Sequence, residues 1–132
     1  MNHKKAKNKF LKHTLTAPLI WIPIIPIAAT DLFLEIFHRI AFPIYGLPLV
    51  KRSQYIKIDR HKLKYLTFSE KLSCVYCGYV NGFAAYFVRV AGDTENYWCG
   101  IKHKQSKDFK EPEHHKNFLE YNNKKEFEMK YN

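Results

Sequence analysis

The chain holds three cysteines, and two of them, Cys74 and Cys77, form a C-x2-C pair in "SCVYCGYVNGF". The third, Cys99, opens a C-x3-H pair with His103 in "YWCGIKHK". Thiolate sulfur and imidazole nitrogen are donors that suit zinc, and a closed structural zinc site takes four of them. Cys74, Cys77, Cys99 and His103 make one such set with no ligand missing. C-x2-C brings two sulfurs to one ion from a single turn, and Gly78 directly after it relieves crowding. On a helix, Cys99 and His103 at i, i+4 point to the same side. Zinc is the expected metal. Iron or an iron–sulfur cluster is the alternative, because cysteine and histidine also hold redox iron. His61 in "DRHK" is a possible substitute ligand, or an ordinary turn residue beside Asp59 and Arg60. The plainer alternative is three unrelated buried cysteines.

The spacing sets a condition on the elements that carry these residues. An unbroken helix from Cys77 to Cys99 would hold the two pairs about 33 Å apart, too far to share an ion. A bend is required, and Gly78, Gly82 and Gly92 are its candidate positions. Thr67 and Glu70 form a T-x-x-E capping box, so a helix is expected to start near Phe68. Gly92 and Asp93 read as a stop and a new N-cap, with a second helix from Thr94 to about His103. The alternation in "SQYIKIDRHKLKYL" suggests a short β-hairpin near 54–66.

A second constellation sits upstream. Asp31, Glu35 and His38 lie on one face of "DLFLEIFHRIAF", with Arg39, while Leu32, Phe33, Ile36, Phe37 and Ile40 follow helical spacing on the other. Glu35-x-x-His38 resembles half of a di-iron carboxylate site, which needs a second such motif on a facing helix. The expected role is therefore a polar stripe facing water or lipid headgroups.

The run Leu15 to Thr30 carries no charge and contains Pro18, Pro23 and Pro26. As a helix it would reach only about 24 Å, short of the roughly 30 Å of a bilayer's hydrocarbon core. The prolines argue against a straight span and against a cleaved signal peptide. They favour a kinked, hairpin or interfacial insertion, with Trp21, Phe33, Phe37 and Phe42 as membrane anchors. Gly46, between Pro43 and Pro48, ends the segment.

With 22 Lys and Arg against 12 Asp and Glu, the net charge is +10. The basic residues flank the apolar segment on both sides, which favours an anionic membrane surface over nucleic acid. It also places both ends on the cytoplasmic face of a bacterial inner membrane. Few aromatics fall between basic residues, so nucleic acid is an unlikely partner. An odd cysteine count fits thiols held in a reducing compartment. There is no glycine-rich phosphate loop, no G-x-S-x-G and no H-E-x-x-H, so these motifs point to a binding module more than to an enzyme and leave that question open.

Two resemblances bear on the motifs. "WCGIKHK" has the C-x3-H spacing of CDGSH-type iron–sulfur proteins, although that family pairs its first cysteines as C-x-C. The run "DRHKLKYLTFSEKLSCVYCGYVNG" with "TENYWCGIKH" and "HHKNFLEY" resembles a family of small bacterial membrane-associated proteins with a C-V-Y-C and Y-W-C-x-I-K-H core, across about residues 30 to 125. That second resemblance implies one bacterial domain and adds no activity.

The reading is a mainly α protein: a basic arm (1–13), a membrane-inserted or interfacial segment (14–50), a metal-stapled domain (51–110) and a charged helical tail (111–132). Its expected function is a membrane-associated, zinc-binding structural or adaptor module that meets lipid and a protein partner or a second copy. The alternatives are an iron-based electron-transfer accessory and a zinc-dependent nucleic-acid module.

Overall fold

The computed structural model describes residues 8–132; the first seven residues of the basic arm lie outside them. The described residues are mainly helical and contain no strand. Helix α1 spans Lys9–Trp21 and α2 spans Ile24–Tyr45. Proline governs their junction: Pro23 sits at the N-cap of α2, where its missing N–H costs no helical bond. Gly46, in the left-handed region at φ 71°, ends α2. Together the two helices form a stretch, Phe10–Tyr45, long and apolar enough by length and composition to cross a membrane.

Helix α3 runs unbroken from Phe68 to Trp98. It starts where the T-x-x-E motif places it, with the Thr67 and Glu70 side chains each bonded to the other's backbone N–H. At 31 residues it is about 46 Å long. Gly78, Gly82 and Gly92 do not break it. They are contact points instead. A Cβ on Gly82 would sit 2.8 Å from both Ile56 Cα and Tyr55 O, and one on Gly78 would lie 3.1 Å from Lys57 O. Residues 55–58 therefore cross α3 backbone to backbone. This is why the expected β-hairpin near 54–66 does not form: the extended segment packs on a helix rather than on a partner strand, flanked by single 3-10 turns at Arg52–Gln54 and Arg60–Lys62.

Helices α2 and α3 run parallel. Asp31 meets Tyr79, His38 meets Tyr86, and Tyr45 stacks on Tyr97. Phe42, Val50, Phe83, Tyr86 and Val90 form the small core, with Leu34, Leu47 and Ile56 packed against it. The tail contributes a 3-10 turn at Glu113–Asn117 and helix α4 at Lys124–Tyr131.

The core covers little of the chain. The accessible surface is 10617 Å². A compact 15.7 kDa protein exposes about 7,300 Å² by the usual scaling with mass. Large apolar side chains lie open on α1 and α2, where Phe10, Leu19, Ile25, Phe33 and Ile44 are all at least two-thirds exposed.

Candidate metal centre and the buried polar network

Helix α2 is turned inside out relative to a helix on a water-soluble protein. Its inward residues are Ile27, Asp31, Leu34, Glu35, His38, Ala41, Phe42 and Tyr45, a 3.6-residue repeat that includes all three of the helix's carboxylate and imidazole groups. Its outward residues include Leu32, Phe33, Ile36, Phe37, Ile40 and Ile44. The expectation that Asp31, Glu35 and His38 face water or headgroups is therefore overturned. Asp31 and His38 are buried against α3. Phe42 is completely buried and is no membrane anchor, because it belongs to the core. Trp21, Phe33 and Phe37 keep exposed surface.

The inward polar groups form one closed network. Arg52 donates to both Asp31 oxygens, at 2.5 and 2.9 Å, and the Tyr79 hydroxyl donates to Asp31 Oδ2 at 2.6 Å. The Val50 N–H donates to His38 Nε2 at 2.9 Å, which leaves the ring proton on Nδ1, 3.0 Å from the Tyr86 hydroxyl oxygen. That hydroxyl donates to Glu35 Oε2 at 2.9 Å, and Arg39 donates to Glu35 Oε1 at 2.7 Å. The Arg52 guanidinium also lies 5.1 Å from the centre of the Tyr86 ring and 3.5 Å from Glu35. It occupies the place between the two carboxylates that a metal would need, so Asp31, Glu35 and His38 are not half of a di-iron site. Burial, and then the hydrogen bonds to Asp31 and Glu35, push the Tyr79 and Tyr86 hydroxyls up to about 12. The hydrogen bond to Asp31 raises Arg52 further, against the effect of burial.

The four cysteine and histidine ligands do not meet. Cys74 and Cys77 lie near the start of α3, half-buried and exposed respectively, and Cys99 caps its other end, exposed. Because α3 is unbroken through Gly78, Gly82 and Gly92, the 22 residues from Cys77 to Cys99 span about 33 Å of helix. Nor does a second helix carry Cys99 and His103 together. The chain leaves α3 at Trp98, and Gly100 turns it in the left-handed region at φ 60°. All three thiols are free.

His103 meets other partners. After Gly100, Ile101 pairs with Leu119 in a parallel bridge: Leu119 N–H donates to Gly100 O at 2.8 Å and Lys102 N–H to Leu119 O at 2.9 Å. This clasp closes the loop 103–118 and returns His115 to α3. There Glu95, His103 and His115 each offer a ligand atom, all within 4.8 Å of one another. Glu95 Oε2 lies 2.8 Å from His114 Nε2 and 3.2 Å from His115 Nε2. Burial raises the Glu95 carboxyl, but the hydrogen bonds from the two histidines outweigh it and hold it below its ordinary value.

The cluster is walled by aromatic rings. Phe118 stacks on His115 at 4.7 Å, and Phe109 meets His103 edge-on at 5.5 Å. Gly92 admits the His114 ring, whose nearest carbons would lie 3.1 Å from a Cβ there. His115 is 1% exposed, and its Nδ1 is buried with no hydrogen-bond partner. Such an orphan costs about 1–3 kcal/mol unless something binds it. His61 Nδ1 is the other such atom among the described residues, but His61 joins no group of ligand atoms.

Sequence reasoning passed over Glu95, His114, His115, Arg52, Tyr79 and Tyr86. The adjacent histidines of "HHKNF" were the available signal for the first cluster, and the i, i+7 tyrosines Tyr79 and Tyr86 for the second. No family model, no curated protein and no solved structure matches the chain.

Proposed function

We propose that the protein is a membrane-seated adaptor module of the bacterial inner membrane, with α1 and the outward face of α2 in lipid and the end of α3 presented to the cytoplasm. The observation that carries this is the inverted α2. A helix that buries Asp31, Glu35 and His38 against protein while exposing Phe33, Ile36, Ile40 and Ile44 is arranged for an apolar solvent. In water, each large apolar side chain left out costs about 1.5–3 kcal/mol relative to burial. Lipid removes that cost, while Arg52, Tyr79 and Tyr86 satisfy the polar groups on the protein side. Basic residues before α1 and at Lys51 suit anionic headgroups at both ends of the segment.

Membrane fractionation of the full chain tests this reading. The protein is expected to stay with membranes after an alkaline wash and to dissolve in mild detergent. The double variant Phe33→Glu/Ile40→Glu, which leaves the inward face intact, is expected to shift it to the wash. A wild-type chain found monomeric in the supernatant without detergent would exclude the proposal, as would secretion after cleavage within residues 14–30.

A further inference from the structure

We infer that Glu95, His103 and His115 bind a divalent transition-metal ion through two imidazoles and one carboxylate, with at least one coordination position left open. This site is distinct from the cysteine set and stands independently of the membrane reading.

Three observations converge on it. Donor atoms of three residues from three separate parts of the chain lie within 4.8 Å of one another, although no local spacing brings them together. Ligands about 2.1 Å from a tetrahedral ion lie about 3.4 Å apart, so a small contraction closes the set. His103 is exposed and can supply that movement, whereas His115 is held by Phe118 and the Ile101–Leu119 clasp. The second observation is the buried His115 imidazole, whose Nε2 lies 3.2 Å from Glu95 Oε2. An ion there would take the Nε2 lone pair and Glu95 together in place of the hydrogen bond between them, with the ring proton on Nδ1. The third is the position of His114, whose Nε2 lies 2.8 Å from the same Glu95 oxygen and fixes the carboxylate beside His115, as outer-shell groups do in metal sites.

The donor set decides the chemistry. Two imidazoles and a carboxylate suit zinc, and also iron(II), cobalt(II) and nickel(II). Three protein ligands leave a position for water or for an anionic group brought by a partner. Calcium and magnesium, which prefer all-oxygen shells, are poor fits.

The test uses the full chain in detergent micelles, with zinc in competition against a chromogenic chelator and cobalt as a spectroscopic substitute. One ion per chain is expected. His103→Ala, on an exposed side chain, and Glu95→Gln are each expected to weaken zinc binding about tenfold or more, with helical circular dichroism unchanged. The variant Cys74→Ser/Cys77→Ser and the variant Cys99→Ser are expected to bind as wild type. The cobalt spectrum is expected to lack thiolate-to-metal absorption. Undiminished binding in His103→Ala and Glu95→Gln would overturn the site. So would loss of binding in either cysteine variant, a cobalt–thiolate band, or no zinc bound by the wild type.

Discussion

Two clusters of this molecule use nearly the same side chains and reach opposite states. The network between α2 and α3 combines Asp31, Glu35 and His38 with Arg52, Tyr79 and Tyr86, and each carboxylate oxygen and imidazole nitrogen in it has a partner. The cluster at the end of α3 combines Glu95 with His103, His114 and His115, and leaves a fully enclosed nitrogen with none. The difference lies in the cation. In the first cluster Arg52 on Asp31 and Arg39 on Glu35 are covalently present and already neutralise the carboxylates. The second has no guanidinium in its place. A saturated network holds helices in register, whereas an unsaturated one has capacity left for a ligand. Residue types alone do not distinguish them; the count of satisfied atoms does.

The comparison breaks most sharply at Arg52. Arg52→Met leaves Asp31 facing a protein interior without its cation, while Glu35 keeps Arg39, and a loss of about 3 kcal/mol is expected in thermal or denaturant unfolding in detergent. The double variant Arg52→Met/Asp31→Asn is expected to recover part of that loss. Equal losses in the single and double variants would show that Arg52 acts by packing over Tyr86 rather than by charge.

Tyr86→Phe removes one hydroxyl and leaves Glu35 Oε2 without its donor and His38 Nδ1 without its acceptor. It is expected to cost about 1–3 kcal/mol in the same assay. Gly82→Ala, with a Cβ 2.8 Å from the backbone of Ile56, is expected to cost about 1–3 kcal/mol by pushing the 55–58 segment off α3. A neutral result would mean that this segment is free to lift away.

The tyrosines give the pH dependence. Tyr79 and Tyr86 are raised to about 12 in the folded protein, above the ordinary phenol value near 10. The neutral hydroxyls are favoured in the fold, so their stabilising contribution is complete below about pH 10 and is lost as pH rises through 12. In an ultraviolet titration of the nine tyrosines, two are expected to ionise late, and Tyr86→Phe is expected to remove one of them.

The smallest expected effect separates the two clusters best. His103→Ala should change metal-free stability by no more than about 0.5 kcal/mol, because the side chain is exposed. Added zinc should raise the melting temperature of wild type and not of this variant. A large metal-free loss would place His103 among the structural groups.

Several features were legible from local chemistry. The Thr67–Glu70 capping box marks the start of α3 because reciprocal side-chain bonds need only a four-residue spacing. Gly46 marks the end of α2 because a left-handed residue costs glycine least. The amphipathic period of α2 was equally plain, since 3.6-residue periodicity is a property of the helix alone.

Sequence did not decide which face of α2 points inward. Periodicity separates the faces and is silent about the solvent each one meets; the tyrosines and arginine of other segments settled it. Nor could a glycine in α3 be classified as a bend or a contact without Ile56 lying across it. The cysteine pairs looked like a single site because ligand spacing is local, yet the distance between pairs depends on whether the helix between them runs straight. The Glu95, His103 and His115 group had no local spacing at all. It exists because the clasp between Ile101 and Leu119 closes a loop, and closure of a loop is a property of the folded chain.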